Sequence, residues 1–139
     1  IKITAKKDYY VDLNSLKLEK IEIESDIKNI QEIFSVGKDK FLLYTNNYKD
    51  SPYLILLNKS GIINKIPIGI ISNICSYKDD IYFIDVNRIN YLYKYSLGDS
   101  SYSVIYKSDK SNIGSLNCYK GIYVGLVYNS QSDYQWVKI

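Results

Sequence analysis

The sequence lacks histidine and methionine, and it contains one alanine, Ala5, and one arginine, Arg88. Without histidine, the commonest general base and metal ligand is missing. Alanine is the strongest helix former, so its scarcity disfavours a helical fold. Because methionine is absent, Ile1 is not a natural initiator, and we expect a processed product or a piece of a longer chain.

Arginine clusters and long apolar runs are also missing. The chain has 18 basic and 15 acidic residues, and its lysines alternate with acids. Nucleic-acid binding usually needs clustered cations that include arginine, so we expect no nucleic-acid partner. No apolar run approaches the roughly 20 residues of a transmembrane helix, and the start shows no signal-peptide pattern. We therefore expect no membrane span.

Cysteine is scarce as well. Cys75 and Cys118 lie 43 positions apart, at related places in two repeats. The favoured interpretation is two small buried hydrophobic side chains. A disulfide would require Cα atoms roughly 4.4 to 6.8 Å apart. Two cysteines without histidine do not make a closed zinc site, and we expect no metal or other cofactor.

What the chain has in abundance is tyrosine. Sixteen of its 139 residues are tyrosines, and isoleucine is also frequent. Aromatic and β-branched side chains pack well across pleated strands. With 46% hydrophobic and 24% charged residues, the composition is that of a globular domain. The composition therefore predicts a folded, all-β chain of single-domain length.

An internal repeat of about forty residues runs through the sequence. The segment 37–44 aligns with 77–84 at an offset of 40, and a third copy follows at 119–124. Each copy has a polar turn containing Lys with Asp or Gly, then a run of four to six apolar residues. Such a run, bounded by turn signals, predicts a strand that is buried on both faces.

Further strands complete each repeat. A polar loop and a strand follow each apolar run, and glycine-containing turns at Gly61 and Gly98 lead into outer strands. The segments 30–36, 71–77 and 113–119 supply first strands. Four strands in about forty residues is the spacing of propeller blades.

The repeat therefore predicts an all-β fold of consecutive four-stranded antiparallel propeller-like blades, forming a partial propeller. We predict one repeat-built β domain over 1–139, with a partial unit at 1–26, units at 27–68 and 69–106, and a partial unit at 107–139. An open β-sandwich or barrel made from the same hairpins is the alternative.

One unit carries a family motif. Tyr82-Phe83-Ile84-Asp85, followed by 89–97 and the turn at Gly98-Asp99, resembles a blade of the tyrosine-tryptophan-threonine-aspartate (YWTD) propellers. It is also similar to bacterial propeller-like surface proteins. Tyr82 and Asp85 match the first and last motif positions, whereas Phe83 and Ile84 replace tryptophan and threonine. The resemblance implies a radial array of sheets with binding loops on one face, serving recognition and not chemistry.

The polar loops between the second and third strands of the units are the candidate binding site. Loops on a rigid scaffold carry binding residues disproportionately. If the units are arranged radially, these loops come together on one face. The alternative is that they are only solvated connectors. The candidate residues are Asn47, Tyr48, Lys49 and Asp50 in the first loop, Asn87 and Arg88 in the second, and Asn129, Gln131 and Asp133 in the third.

Catalytic candidates are weak. The carboxylate pair Asp79-Asp80 lies in a repeated turn, where Asp and Lys favour local backbone hydrogen bonds. Together with the missing histidine, this predicts that the chain is not an enzyme. An aromatic ring such as Trp136 suits stacking on a sugar. Because Tyr134 and Lys138 share its alternating face, a blade-core position is favoured instead.

These observations favour a non-catalytic binding or scaffolding module that presents inter-strand loops to a protein or glycan partner. One alternative is a segment of a larger propeller enzyme whose catalytic residues lie outside this chain. Another is an assembly element that completes a ring by homodimerisation, or with a missing continuation of the same chain. From the family resemblance we expect an extracellular or cell-surface location.

Overall fold

In the computed structural model, the described residues are 9–12, 17–20, 29–36, 40–45, 52–58, 60–99, 101–128 and 134–139, the first two ranges as backbone only. All the regular elements in these ranges are β-strands, which confirms the predicted all-β class. None of the described residues belongs to a helix with the length and hydrophobicity needed to cross a membrane. The chain divides into two compact units, Ile1–Gly69 and Ile70–Ile139.

The first unit contains a hairpin and a four-stranded sheet. The hairpin pairs β1 with β2, and the sheet has the order β3-β4-β5-β6 with antiparallel neighbours. Side chains on one face of the sheet form a core cluster of Phe41, Leu43, Ile55 and Leu57. The strands are β1 (Tyr9–Asp12), β2 (Lys17–Lys20), β3 (Ile30–Val36), β4 (Lys40–Thr45), β5 (Tyr53–Asn58) and β6 (Gly61–Pro67).

The second unit contains two antiparallel sheets, with the orders β7-β8-β9-β10 and β11-β12-β13. Tyr82, Ile84 and Leu92 from the four-stranded sheet form one buried cluster with aliphatic residues of the next sheet, Val124 and Leu126 among them. The two sheets therefore pack face to face. The strands are β7 (Ile71–Tyr77), β8 (Asp80–Asp85), β9 (Tyr91–Ser96), β10 (Ser101–Lys107), β11 (Asn112–Asn117), β12 (Tyr123–Val127) and β13 (Tyr134–Lys138).

The second strand of each sheet is buried on both faces, as the apolar runs predict. Residues 41–45 in β4, 81–84 in β8 and 124–126 in β12 are all buried. Alternate side chains of a strand point to opposite faces, so both faces of these strands are covered. Fully burying one aliphatic side chain contributes roughly 1.5–3 kcal/mol, which makes these strands the centre of each sheet's stability.

A β-bulge recurs at the same place in the first strand of all three sheets. The register shifts between Ile30 and Glu32, between Ile71 and Asn73, and between Ile113 and Ser115. A bulge bends its strand and increases the local twist. The repeat seen in the sequence is therefore also a repeat of backbone geometry.

The turns differ from the expectation in one respect. Gly61 has a φ of 127°, a conformation that favours glycine, whereas Gly98 is not among the residues with positive φ. Positive φ values in the second unit occur instead at Lys120 and Gly121 and in the β7–β8 turn, where Lys78 and Asp79 have φ of 48° and 64°. Two successive positive φ values are the signature of a type I′ hairpin turn, whose twist matches that of the flanking strands.

Cys75 and Cys118 form a disulfide, so the interpretation as two unpaired hydrophobic side chains is wrong. Their Cα atoms are 5.9 Å apart, although they lie in or next to strands of different sheets. Cys75 lies in β7 and Cys118 directly follows β11, and both pack against the cluster between these sheets. The sequence places each cysteine near the first strand of its repeat, but it does not show that these two strands face each other.

Candidate functional site

The β8–β9 loop, residues 86–90, is held in one conformation by backbone hydrogen bonds. The Val86 amide donates to the carbonyl oxygen of Ile70 at 2.9 Å. The Asn87 amide donates to Oδ1 of Asp85 at 2.7 Å, and the Arg88 amide donates to the Asp85 carbonyl at 3.0 Å. Asp85 therefore builds the turn with both its side chain and its backbone, as Asp commonly does in such loops.

A second connector, which links β10 to β11, lies against this loop. The Ser108 amide donates to the Asn90 carbonyl at 2.9 Å, and the Asn90 side-chain amide donates to the Ser108 carbonyl at 3.2 Å. The Ile113 amide donates to the Ile89 carbonyl at 2.7 Å. We call residues 86–90 and 107–111 together the loop surface.

Two cations of the loop surface share one tyrosine ring. The Cζ atom of Arg88 lies 6.0 Å from the ring centroid of Tyr91, and Nζ of Lys107 lies 5.7 Å from it. Cations are attracted to the faces of aromatic rings. The Tyr91 ring also stacks on the ring of Tyr93, with the centroids 6.2 Å apart. The ring that both cations contact is therefore packed against a second side chain of β9.

The two cations differ in their partners. Lys107 forms an ion pair with Asp109 at 3.2 Å, and this hydrogen bond raises the pKa of Lys107 above its usual value. Among the described residues no carboxylate pairs with Arg88, whose side chain is exposed. The guanidinium therefore keeps its donors available for an external acceptor.

Three aliphatic side chains in or next to the β8–β9 loop are exposed. Val86 and Ile89, on either side of Asn87 and Arg88, have exposed fractions of 46% and 38%, and Ile70 has 49%. Exposed apolar area of this kind contributes to affinity when a partner buries it. The loop surface therefore combines positive charge with apolar contact area.

The structure describes only part of the predicted site. Asn87 and Arg88 lie in the loop surface and are exposed. Asn47, Tyr48, Lys49 and Asp50 in the β4–β5 loop, and Asn129, Gln131 and Asp133 in the β12–β13 loop, lie outside the described residues. That the three loops come together on one face therefore stays a prediction. Thr45, which precedes the first loop, is the buried last residue of β4.

Sequence reasoning missed Tyr91 and Lys107 as parts of this site. Tyr91 is the first residue of β9, and Lys107 is the last residue of β10, the outer strand that follows the turn at Gly98. The two residues are direct cross-strand partners in the β9–β10 hairpin. Their pairing depends on the bulge between Val104 and Tyr106, so counting back from the turn without that bulge gives a different partner.

A second group of aromatic side chains lies on the third sheet. Tyr134 and Trp136 on β13 meet edge to face, with ring centroids 5.5 Å apart. Trp136 is 51% exposed, in contrast to the favoured blade-core position. Its neighbour Val137 points to the opposite face and packs on the core cluster, so the strand alternation turns Trp136 away from the core.

The carboxylates considered for catalysis have structural partners. Asp80 forms an ion pair with Lys94 at 2.7 Å, and this hydrogen bond raises the pKa of Lys94. Asp79 occupies the type I′ turn. Within the described ranges there is no group of three or more His, Cys, Asp or Glu residues placed to hold a metal ion.

Comparison with protein-family models, curated proteins and solved structures gives no match to this chain. The site is therefore interpreted from its own geometry. The disulfide adds one constraint, because such bonds form and persist mainly in oxidising compartments.

Proposed function

We propose that this chain is a non-catalytic binding module that presents its inter-strand loops to a protein or glycan partner. The observation that carries the proposal is the construction of the loop surface. Hydrogen bonds of 2.7 to 3.2 Å hold its two connectors together, while Asn87 and Arg88 remain exposed. A surface that is ordered before binding loses little conformational entropy when a partner arrives.

The propeller assignment and the location are part of the same proposal. Consecutive four-stranded antiparallel sheets, with a bulge at a repeated place, fit the blades of a YWTD-like propeller. The Cys75–Cys118 disulfide supports an extracellular or cell-surface location, where structural disulfides are common.

The test is to select ligands without assuming their class. The biotinylated chain is used to pan a random peptide library and to probe a glycan array. Ligands that emerge are then measured against the wild type and the double variant Asn87→Ala/Arg88→Ala. We expect the double variant to bind about tenfold more weakly or worse, the effect of losing a charge-assisted hydrogen bond.

Lys138→Ala is the matched control. Lys138 is an exposed cation over a tyrosine ring, 5.8 Å from the centroid of Tyr123, but it lies on β13. The control should bind like the wild type, and thermal denaturation should show that both variants are folded. Ligands whose binding is unchanged in the double variant, or no ligand from either collection, would contradict the proposed function.

A second candidate function is assembly. The third sheet has three strands where the other two have four, and no strand pairs with the outer edge of β13 among the described residues. Unpaired edges are usually covered, and Tyr134 and Trp136 are exposed beside this one. Light scattering over a range of concentrations decides this point. A compact dimer would support a ring completed between two copies, whereas a monomer at every concentration would rule it out.

A further inference from the structure

We propose that the loop surface binds an acidic peptide segment in which carboxylates and aliphatic side chains occur close together. This inference rests on the proposed function and names the chemical class of the partner. It is drawn from three properties of the described residues: an available guanidinium, a weakly engaged lysine, and exposed aliphatic side chains in and next to the loop that carries the guanidinium.

Arg88 provides the specific contact. Its guanidinium is exposed, and the cation–π contact with Tyr91 at 6.0 Å leaves its N–H donors free of any carboxylate in the described part of the chain. A guanidinium presents parallel donors that match the two oxygens of a carboxylate. The loop hydrogen bonds around Asp85 fix the position from which Arg88 reaches out.

Lys107 provides the second positive charge. Its present partner Asp109 is 79% exposed at the side chain, and the lysine is 50% exposed. An ion pair that is so accessible to water contributes about 0–1 kcal/mol, so exchanging Asp109 for a carboxylate of the partner costs little. Over the whole loop surface, Arg88, Lys107 and Lys110 outnumber the single acid Asp109.

The aliphatic side chains favour a peptide over a sugar. Ile70, Val86 and Ile89 offer apolar contact area, and a glycan has few apolar groups to cover it. An acidic peptide with interspersed leucine or isoleucine would satisfy the cations and the apolar groups together. Burial of the apolar area would provide affinity, and the charges would provide orientation and rapid association.

The experiment uses three fluorescein-labelled octapeptides and the intact chain in polarisation titrations. The first is Gly-Glu-Leu-Glu-Glu-Leu-Glu-Gly, the second has glutamine for every glutamate, and the third has serine for every leucine. We expect only the first to bind well. Its affinity should fall as salt is added, because salt screens exposed charges.

Variants of the chain test the assigned residues. Arg88→Ala should weaken binding of the acidic peptide about tenfold and Lys107→Ala by up to about fivefold, whereas Lys138→Ala should leave it unchanged. Arg88→Lys should recover only part of the affinity, because an ammonium does not reproduce the paired donors of a guanidinium. Arg88→Glu/Lys107→Glu should bind a peptide with lysine in place of every glutamate.

The results separate the two proposals. If the glutamine peptide binds as well as the acidic one, or if neither cation matters, the acidic-peptide inference is wrong. If selection yields glycans or uncharged peptides whose binding still depends on Asn87 and Arg88, the proposed function stands and this inference fails. If no selected ligand depends on these residues, both fail.

Discussion

Tyr134 fills space that the neighbouring strand β12 leaves open by having glycine at position 125. A Cβ atom at Gly125 would overlap the Tyr134 hydroxyl and ring. Gly125 is needed for this close approach and not for an unusual backbone angle, since its φ is not positive. With a larger residue at this position, the ring could not keep its place against the sheet. A Cβ atom at Gly114 would instead lie 2.6 Å from a methyl carbon of Val127.

Gly125→Ala should therefore displace the Tyr134 ring and destabilise the chain by about 1 kcal/mol, the lower end of overpacking costs, because the exposed ring is able to move. Trp136 is the only tryptophan and contacts Tyr134, so its fluorescence should change. Gly98→Ala is the control, because a Cβ there meets nothing within 4 Å. Unchanged fluorescence in Gly125→Ala would contradict the assigned contact.

The ionisation of Tyr102 should lower the free energy of unfolding at alkaline pH. Partial burial raises the pKa of Tyr102, a residue that is 46% exposed, to about 12, so the folded chain holds its phenolic proton more tightly than the unfolded chain does. This contribution to the free energy of unfolding is complete below pH of about 10 and is lost as the pH rises toward 12.

Tyr102→Phe keeps the ring against Phe83 and Tyr95 and removes the ionisation. Urea unfolding at neutral and at alkaline pH should show a smaller loss of stability in the variant than in the wild type. If the wild type and the variant lose the same stability between neutral and alkaline pH, the pKa of Tyr102 is the same in the folded and unfolded chains. The comparison cancels other groups that titrate in this range.

At the scale of strands and turns, the sequence predicts the elements that have a regular local pattern of apolar and turn residues. Buried central strands such as 81–84 are evident because four apolar residues follow a turn, and turn residues predict the hairpins. The bulges cannot be recognised in the sequence, because the extra residue of a bulged strand need not be of any distinctive type. The pairing of Tyr91 with Lys107 and of Cys75 with Cys118 depends on register and on sheet packing, which no local pattern shows.

The turn at Lys78 and Asp79 should accept a more favourable sequence. Both residues have positive φ, and Asn-Gly is the preferred pair for a type I′ turn. Lys78→Asn/Asp79→Gly should therefore raise the free energy of unfolding by about 1 kcal/mol, as expected where a substitution suits the native backbone. Chemical denaturation measures the effect. Lys120→Asn, at another positive φ of 53°, should stabilise in the same direction by less.

For the second unit as a whole, the disulfide is a major source of stability. It joins residues 43 positions apart and spans the two sheets. Closing a loop of this length lowers the entropy of the unfolded chain enough to contribute about 4 kcal/mol on the loop-closure model. Cys75→Ala/Cys118→Ala should therefore unfold at a lower temperature than the wild type in calorimetry.

Reductant provides the internal control for this prediction. It should lower the unfolding temperature of the wild type toward that of the double variant and leave the variant unaffected. An unfolding temperature that is the same with and without the bond would show that the two sheets hold together by packing alone.

The same bond turns residues 75–118 into a covalent ring, and the whole loop surface lies within it. Trypsin cleaves after arginine and lysine, so Arg88 and Lys107 are cleavage sites within the segment that the disulfide closes. A single cut after either residue opens the ring without releasing a fragment. The nicked chain should migrate as one piece in electrophoresis until a reductant is added, so the loop surface would stay attached to the rest of the chain after its first cleavage.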